Sequence, residues 1–230
     1  MIEITLLRHA KVVGPAALYG KTDIKAQVTE DQEIINALVL SDQEFDWVVS
    51  SPLQRCYSVA QQLSTKLNVP LKCNDSFEEM NFGEIDGIPF EQLVGDNAFH
   101  VNAEKYWSLL EMFWQNPAQT ILPLAESLAQ FNQRVATGWQ LLVKQLLEQN
   151  AKEDNGCKKV LFVCHGGVIR MILADVLSLD WKNANLYQGL SIDYGSTSKV
   201  TITALVNYDE KPNLRVNYIG LPLSSMKRKN

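Results

Sequence analysis

Short apolar runs and longer apolar stripes at helical spacing take turns along this chain. Ile4-Thr5-Leu6-Leu7 is a compact run, and residues 3–7 read as a short buried strand. Gly14, Pro15 and Gly20 then break the pattern into an irregular loop. A helix is predicted over 30–40, with Ile34, Ile35, Leu38 and Val39 on one side. Trp47-Val48-Val49 gives a second strand. Ser50-Ser51-Pro52 is expected to cap the helix that follows, because proline is tolerated near a first turn. That helix carries Val59, Ala60, Leu63 and Leu67 on its inner stripe and Arg55 in its first turns. Helices are also predicted over 103–115 and 124–149. The second shows Leu124, Leu128, Phe131, Val135, Trp139, Leu142 and Leu146 at spacings of three and four. The polar stretch Asn150 to Lys159 leads into a strand at 160–164 and a helix at 167–178. Val200, Ile202 and Ala204, then Leu214, Val216 and Tyr218, alternate as two strands around a turn at Lys211-Pro212-Asn213.

Strands alternating with helices define the expected fold class: α/β, three-layered, with a mostly parallel central sheet and helices on both faces. The chain's 230 residues fit one such domain, with helices 103–115 and 124–149 forming a cap region around 88–150. A net charge of −5 argues against nucleic acid as a partner, since that binding needs a basic surface. Neither a signal-peptide stretch nor a membrane span stands out, and Cys56, Cys73, Cys157 and Cys164 form no C-x-x-C pair. The expectation is a cytoplasmic protein without a metal or other cofactor. The tail Lys227-Arg228-Lys229 reads as solvated and disordered.

Two of the three histidines carry the chemistry. His9 closes the run Ile4–Leu7 as Arg8-His9, and His165 closes Val160-Leu161-Phe162-Val163-Cys164 before Gly166-Gly167. A strand ending in histidine and then a loop or helix start sets an imidazole at the carboxyl edge of a parallel sheet, where open α/β sheets bind ligands. Two imidazoles with nearby guanidinium groups suit a dianionic phosphate.

Arg8-His9, Ser51-Pro52-Leu53-Gln54-Arg55, Glu79-Met80-Asn81-Phe82-Gly83 and His165-Gly166-Gly167, in that order, resemble the histidine phosphatase superfamily, the phosphoglycerate mutase-like proteins. Tyr19-Gly20-Lys21-Thr22-Asp23 looks like that family's substrate loop, and Pro123-Leu124-Ala125-Glu126-Ser127 like its P-G-G-E-S helix start. The resemblance implies a metal-independent phosphomonoesterase acting through a phosphohistidine. His9 would be the nucleophile, with Arg8, Arg55 and His165 clamping the phosphoryl oxygens. Gly166, Gly20 and Thr22 would bind substrate. Among Glu78, Glu79, Glu84 and Asp86, the family's E-x-x-F-G spacing selects Glu79 as general acid and base. The Leu-Tyr-Gly-x-Thr-Asp wording is most similar to alpha-ribazole phosphatase. The family opening R-H-G-E-T-x-x-N is altered here, and Pro15 stands where a phosphate-contacting Asn is usual.

The partner implied is a small phosphomonoester, such as alpha-ribazole 5'-phosphate, with a homodimer allowed and neither nucleic acid nor membrane. Three other readings stay open: a phosphoglycerate mutase-type phosphotransferase; a cysteine phosphatase using Cys164 and Arg170, which spell C-x5-R; and a non-catalytic binder of a phosphorylated ligand.

Overall fold

The computed structural model describes residues 1–41, 43–94, 98–152, 157–203 and 212–225. Strand β1 (Ile2–Arg8) lies near the middle of a six-stranded sheet in the order β3-β2-β4-β1-β5-β6. Strands β2 (Trp47–Ser50), β3 (Leu71–Cys73) and β4 (Lys158–Cys164) run parallel to β1 in the ladder. Strands β5 (Ser196–Thr203) and β6 (Asn213–Pro222) add an antiparallel edge. The sheet is therefore mostly parallel, as expected. The edge strand β3 was not foreseen, because three residues are too few to show alternation.

Alternating side chains of the two central strands feed two apolar clusters on opposite faces, as the pleat requires. Ile4 and Leu6 of β1 and Val160, Phe162 and Cys164 of β4 join one cluster; Leu7, Leu161 and Val163 join the other. Helices α1 (Val28–Val39) and α2 (Gln54–Leu67) cover the second cluster through Ile34, Ile35, Leu38, Val59, Ala60 and Leu63. Helices α3 (Ala103–Gln115), α4 (Leu128–Lys152) and α5 (Gly166–Leu177) contribute to the first. A short α6 (Asn185–Gln188) follows. Around α3, Phe90, Trp107 and Trp114 meet edge-on at centroid distances of 5.6–6.2 Å, so these rings are packing groups.

The helix expected from residue 124 begins instead at Leu128. Ser127 and Gln130 cap it reciprocally: the Gln130 N–H donates to Ser127 Oγ at 3.2 Å and the Ser127 N–H to Gln130 Oε1 at 2.8 Å. Leu124 is outside the core stripe, exposed, with a φ of 56°. A left-handed leucine is strained, at roughly 1–2 kcal/mol; the P-G-G-E-S motif that this segment resembles has glycine there. Pro123 and Leu124 pass so close to Gly83 that a Cβ on that glycine would meet the Pro123 carbonyl at 2.0 Å. Ala204, Lys211 and Lys227–Lys229 lie outside the described residues, the basic tail with them, while Asn213, expected in the turn, opens β6 opposite Thr203.

Candidate active site

The strand register builds the site. Arg8 is paired with Cys164, so the next residues, His9 and His165, emerge side by side from adjacent parallel strands. The His9 N–H donates to the Cys164 carbonyl at 3.1 Å, and the two rings meet edge-on at 5.1 Å. Strand β2 flanks β4 on its other side; the Ser51 N–H donates to Val163 O, which sets Ser51 beside His165.

The imidazoles sit in different bonding states. His9 Nδ1 is 2.7 Å from the Ala10 carbonyl. A carbonyl can only accept, so the neutral ring carries its proton on Nδ1 and leaves the Nε2 lone pair free. His165 Nδ1 faces Arg55 Nε–H at 3.2 Å, and a guanidinium can only donate. The proton of neutral His165 is then on Nε2, 2.8 Å from Ser51 Oγ. Burial, the larger cause, and the Arg55 and Arg8 charges hold the His9 pKa well below its usual value. Burial and Arg55 also lower His165, with His9 and Arg8 adding to the effect.

Arg55 is fully buried at the start of α2. Besides His165, its donors reach the carbonyls of Thr22 (2.9 Å), Tyr19 (3.1 Å) and Gly20 (2.7 Å). The loop expected to bind substrate thus holds Arg55, and Gly20 and Thr22 stand behind it through main-chain atoms. Gly20 has no room for a side chain, since a Cβ would meet Met80 O at 1.8 Å. Asp86 accepts the N–H groups of Gly20, Lys21, Thr22 and Phe82 at 2.8–3.2 Å. Asp23 caps α2 from outside, accepting the Gln54 N–H at 2.7 Å. Ser51, within the Ser50-Ser51-Pro52 stretch expected to cap the helix, has its Oγ on His165 and accepts the Leu53 N–H at 3.4 Å, one residue ahead of the helix. The S-P-L-Q-R motif marked the right segment, but nothing in it separated a capping serine from one hydrogen-bonded to an imidazole.

Arg8 donates to Ile192 O and lies 3.8 Å from the Tyr194 ring centroid, while its buried Nε has no acceptor among the described residues. Gly166 opens α5 against Arg8 and Arg170: a Cβ there would meet Arg170 Nη1 at 3.1 Å and Arg8 Nε at 3.3 Å. As the first helical residue, Gly166 has no intrahelical acceptor for its N–H. Glu79 joins from the loop before Gly83; its carboxyl accepts the Gly167 N–H and the Met80 N–H, each at 3.0 Å. Arg134 braces this loop from α4, bonding the Ser76 and Glu78 carbonyls at 3.0 Å and Glu126 at 2.6 Å. Glu126, from the recognised helix-start motif, therefore supports the site from behind.

Cys164 does not suit the cysteine alternative. Burial pushes its thiol well above the usual range, so it stays protonated, and residues 166–170 are already helix rather than a loop wrapped around the sulfur. His100 is remote in role: its Nδ1 accepts the Asn102 N–H at 3.2 Å within a local turn.

Residues 4–207 match the sequence profile of the histidine phosphatase superfamily (branch 1). The chain belongs to that superfamily. It is an enzyme of the phosphatase kind. It is 27% identical to PhoE, an uncharacterized phosphatase of Bacillus subtilis (strain 168), over 76% of this chain and 78% of PhoE. Its fold is similar to a mycobacterial glucosyl-3-phosphoglycerate phosphatase (TM-score 0.74, 19% identity, 95% of this chain and 98% of that one). It is also similar to the alpha-ribazole phosphatase of Shigella flexneri (TM-score 0.68, 21% identity, 96% and 98%). Both likenesses show the shared fold of the superfamily.

Proposed function

We propose that the protein is a metal-independent phosphomonoesterase that works through a phosphohistidine on His9. The observation that carries this reading is the Nδ1–H to Ala10 carbonyl bond, which leaves Nε2 as the nucleophilic nitrogen beside Arg8. Burial and two guanidinium groups keep the ring neutral, so no separate base is needed to activate it. In the first step the Nε2 lone pair forms an N–P bond while the bond from phosphorus to the leaving oxygen breaks. Glu79 gives that oxygen its proton. In the second step Glu79 takes a proton from water, the oxygen of water bonds to phosphorus, and the N–P bond breaks to restore His9.

The Arg8 Nε–H and the Gly166 N–H offer donors to the phosphoryl oxygens, and the start of α5 adds a favourable dipole. Arg55 supplies fixed positive charge and holds His165 in place. The substrate class is a small phosphorylated metabolite. Alpha-ribazole 5'-phosphate is the first compound to try, supported by the Leu18-to-Asp23 wording. Glucosyl-3-phosphoglycerate and phosphoglycerates complete the panel.

The test is incubation with a generic phosphomonoester in EDTA, followed by trapping of the phosphoenzyme in the parent, His9→Ala and Cys164→Ser. Turnover in EDTA and an acid-labile, base-stable label are expected in the parent and in Cys164→Ser, and no label in His9→Ala. Activity surviving in His9→Ala removes the proposal.

A further inference from the structure

Neither the family pattern nor the mechanism above uses Tyr194, yet it touches both members of the Arg8-His9 pair. Its ring lies 3.8 Å from the Arg8 guanidinium and 5.5 Å, tilted by 54°, from the His9 ring. Main-chain bonds fix its place. The Gly195 N–H donates to the Arg8 and His9 carbonyls at 3.1 and 3.3 Å, and Gly195 has the left-handed φ of 68° that the turn requires. Upstream, Leu190 O accepts from Arg170 and Ile192 O from Arg8. The segment 190–195 is thus bonded to the two arginines that flank Gly166. Tyr194 is nonetheless 43% exposed and lines a cavity of about 860 Å3 between α1 and residues 193–196 and 222–224. A core packing role does not need so much exposed ring.

We propose that Tyr194 is a positioning residue: the face of its ring holds the Arg8 guanidinium in the orientation that binds the phosphoryl group. The arrangement needs an aromatic face rather than a hydroxyl. Among the described residues the Tyr194 OH makes no hydrogen bond, whereas a guanidinium over a ring is attracted by the ring quadrupole. Arg8 has no ion-pair partner among the described residues, so the stack and one carbonyl are what orient it. A flexible cation would lose part of its affinity to ordering on binding, and a pre-oriented one does not.

This inference rests on the phosphoryl site proposed above, and its test separates the two. Inorganic phosphate binding is measured by calorimetry in the parent, Tyr194→Phe, Tyr194→Leu and Tyr194→Gln, with thermal midpoints recorded alongside. Phe should bind within twofold of the parent, and Leu and Gln roughly tenfold more weakly, in the range expected for losing a partly buried cation–π contact. Phosphohistidine labelling at His9 should persist in all three variants. Leu and Gln binding as tightly as the parent overturns the positioning role, and so does Phe binding as weakly as Leu. A parent that binds no phosphate overturns the phosphoryl site itself, and this inference with it.

Discussion

His9 and His165 leave neighbouring strands at the same level of the sheet, yet their surroundings assign them opposite roles. His9 bonds one nitrogen to its own backbone neighbour, and among the described residues the other has no hydrogen-bond partner. His165 has both nitrogens engaged, by Arg55 and Ser51, with Cys56 Sγ within 3.7 Å of each. The first ring is equipped to form a bond and the second to stay in place. Sequence position makes the two look alike, since each ends a buried strand; what distinguishes them is the set of donors and acceptors brought in by α2 and the loop before it.

Removing each ring in turn should break the symmetry most visibly. His9→Ala should lose at least about 10^4 in turnover, the scale seen when a nucleophile is deleted, together with its phosphoenzyme. His165→Ala should lose about 10^2, the scale of a misplaced site group once Arg55 and the His9 ring lose their neighbour, and still form the label. A label lost in both variants would end the division of labour. Glu79→Gln comes next: alkyl phosphates should slow by about 10^2–10^4 and aryl phosphates far less, because only the poorer leaving group needs the proton. Equal slowing of both would move the acid elsewhere, with Glu78 the first candidate.

Proton linkage gives a smaller effect of defined sign. Both imidazoles have folded-state pKa values well below 6.5, so the unfolded chain binds more protons under mildly acidic conditions. Their contribution to stability is complete above about pH 6.5 and is lost as the pH falls from there towards the folded values, by up to about 1.4 kcal/mol per pH unit for each ring. Urea titrations of the parent and His165→Gln at pH 7.5, 6.5 and 5.5 should show a shallower acid loss in the variant; parallel curves would contradict the buried neutral state. The smallest change expected is in Ser51→Ala. Deleting one partner of a buried ring should cost about 1 kcal/mol of stability in the same urea titrations, with the His9 label unaffected.

Much of this site was legible in the chain because each motif sits at the end of a regular element. Apolar runs located β1 and β4, and their termini located His9 and His165. Arg55 followed from the helix after β2, and the Gly83 turn from the E-x-x-F-G spacing. What stayed hidden depends on contacts distant in sequence. Ser51 read as a cap because Asp23, which does cap α2, is 31 residues from Gln54, whose N–H it accepts. Gly20 and Thr22 read as substrate contacts because their carbonyls' partner, Arg55, lies 33–35 positions later. Leu124 fitted an apolar stripe on spacing alone, and spacing carries no sign of φ. Tyr194 had no periodic or motif signal; it reaches the site only because β5 pairs with β1.

The carboxylate of Asp86 has a consequence for how this protein can diverge. By gathering four amides, three from residues 20–22 and one from residue 82, it pins the stretch that holds Arg55 from its downstream side. The opening after His9 has ties of its own: Ala10 O holds the His9 ring, residues 11–13 bond to 25–27, and the Ala16 and Leu18 carbonyls accept from Phe90 and Gly87. Between these ties lies the turn at Gly14-Pro15. A change at that turn, the proline at position 15 included, can reshape the chain there while the Arg55 guanidinium stays put. Natural variation in ligand preference should accumulate there first.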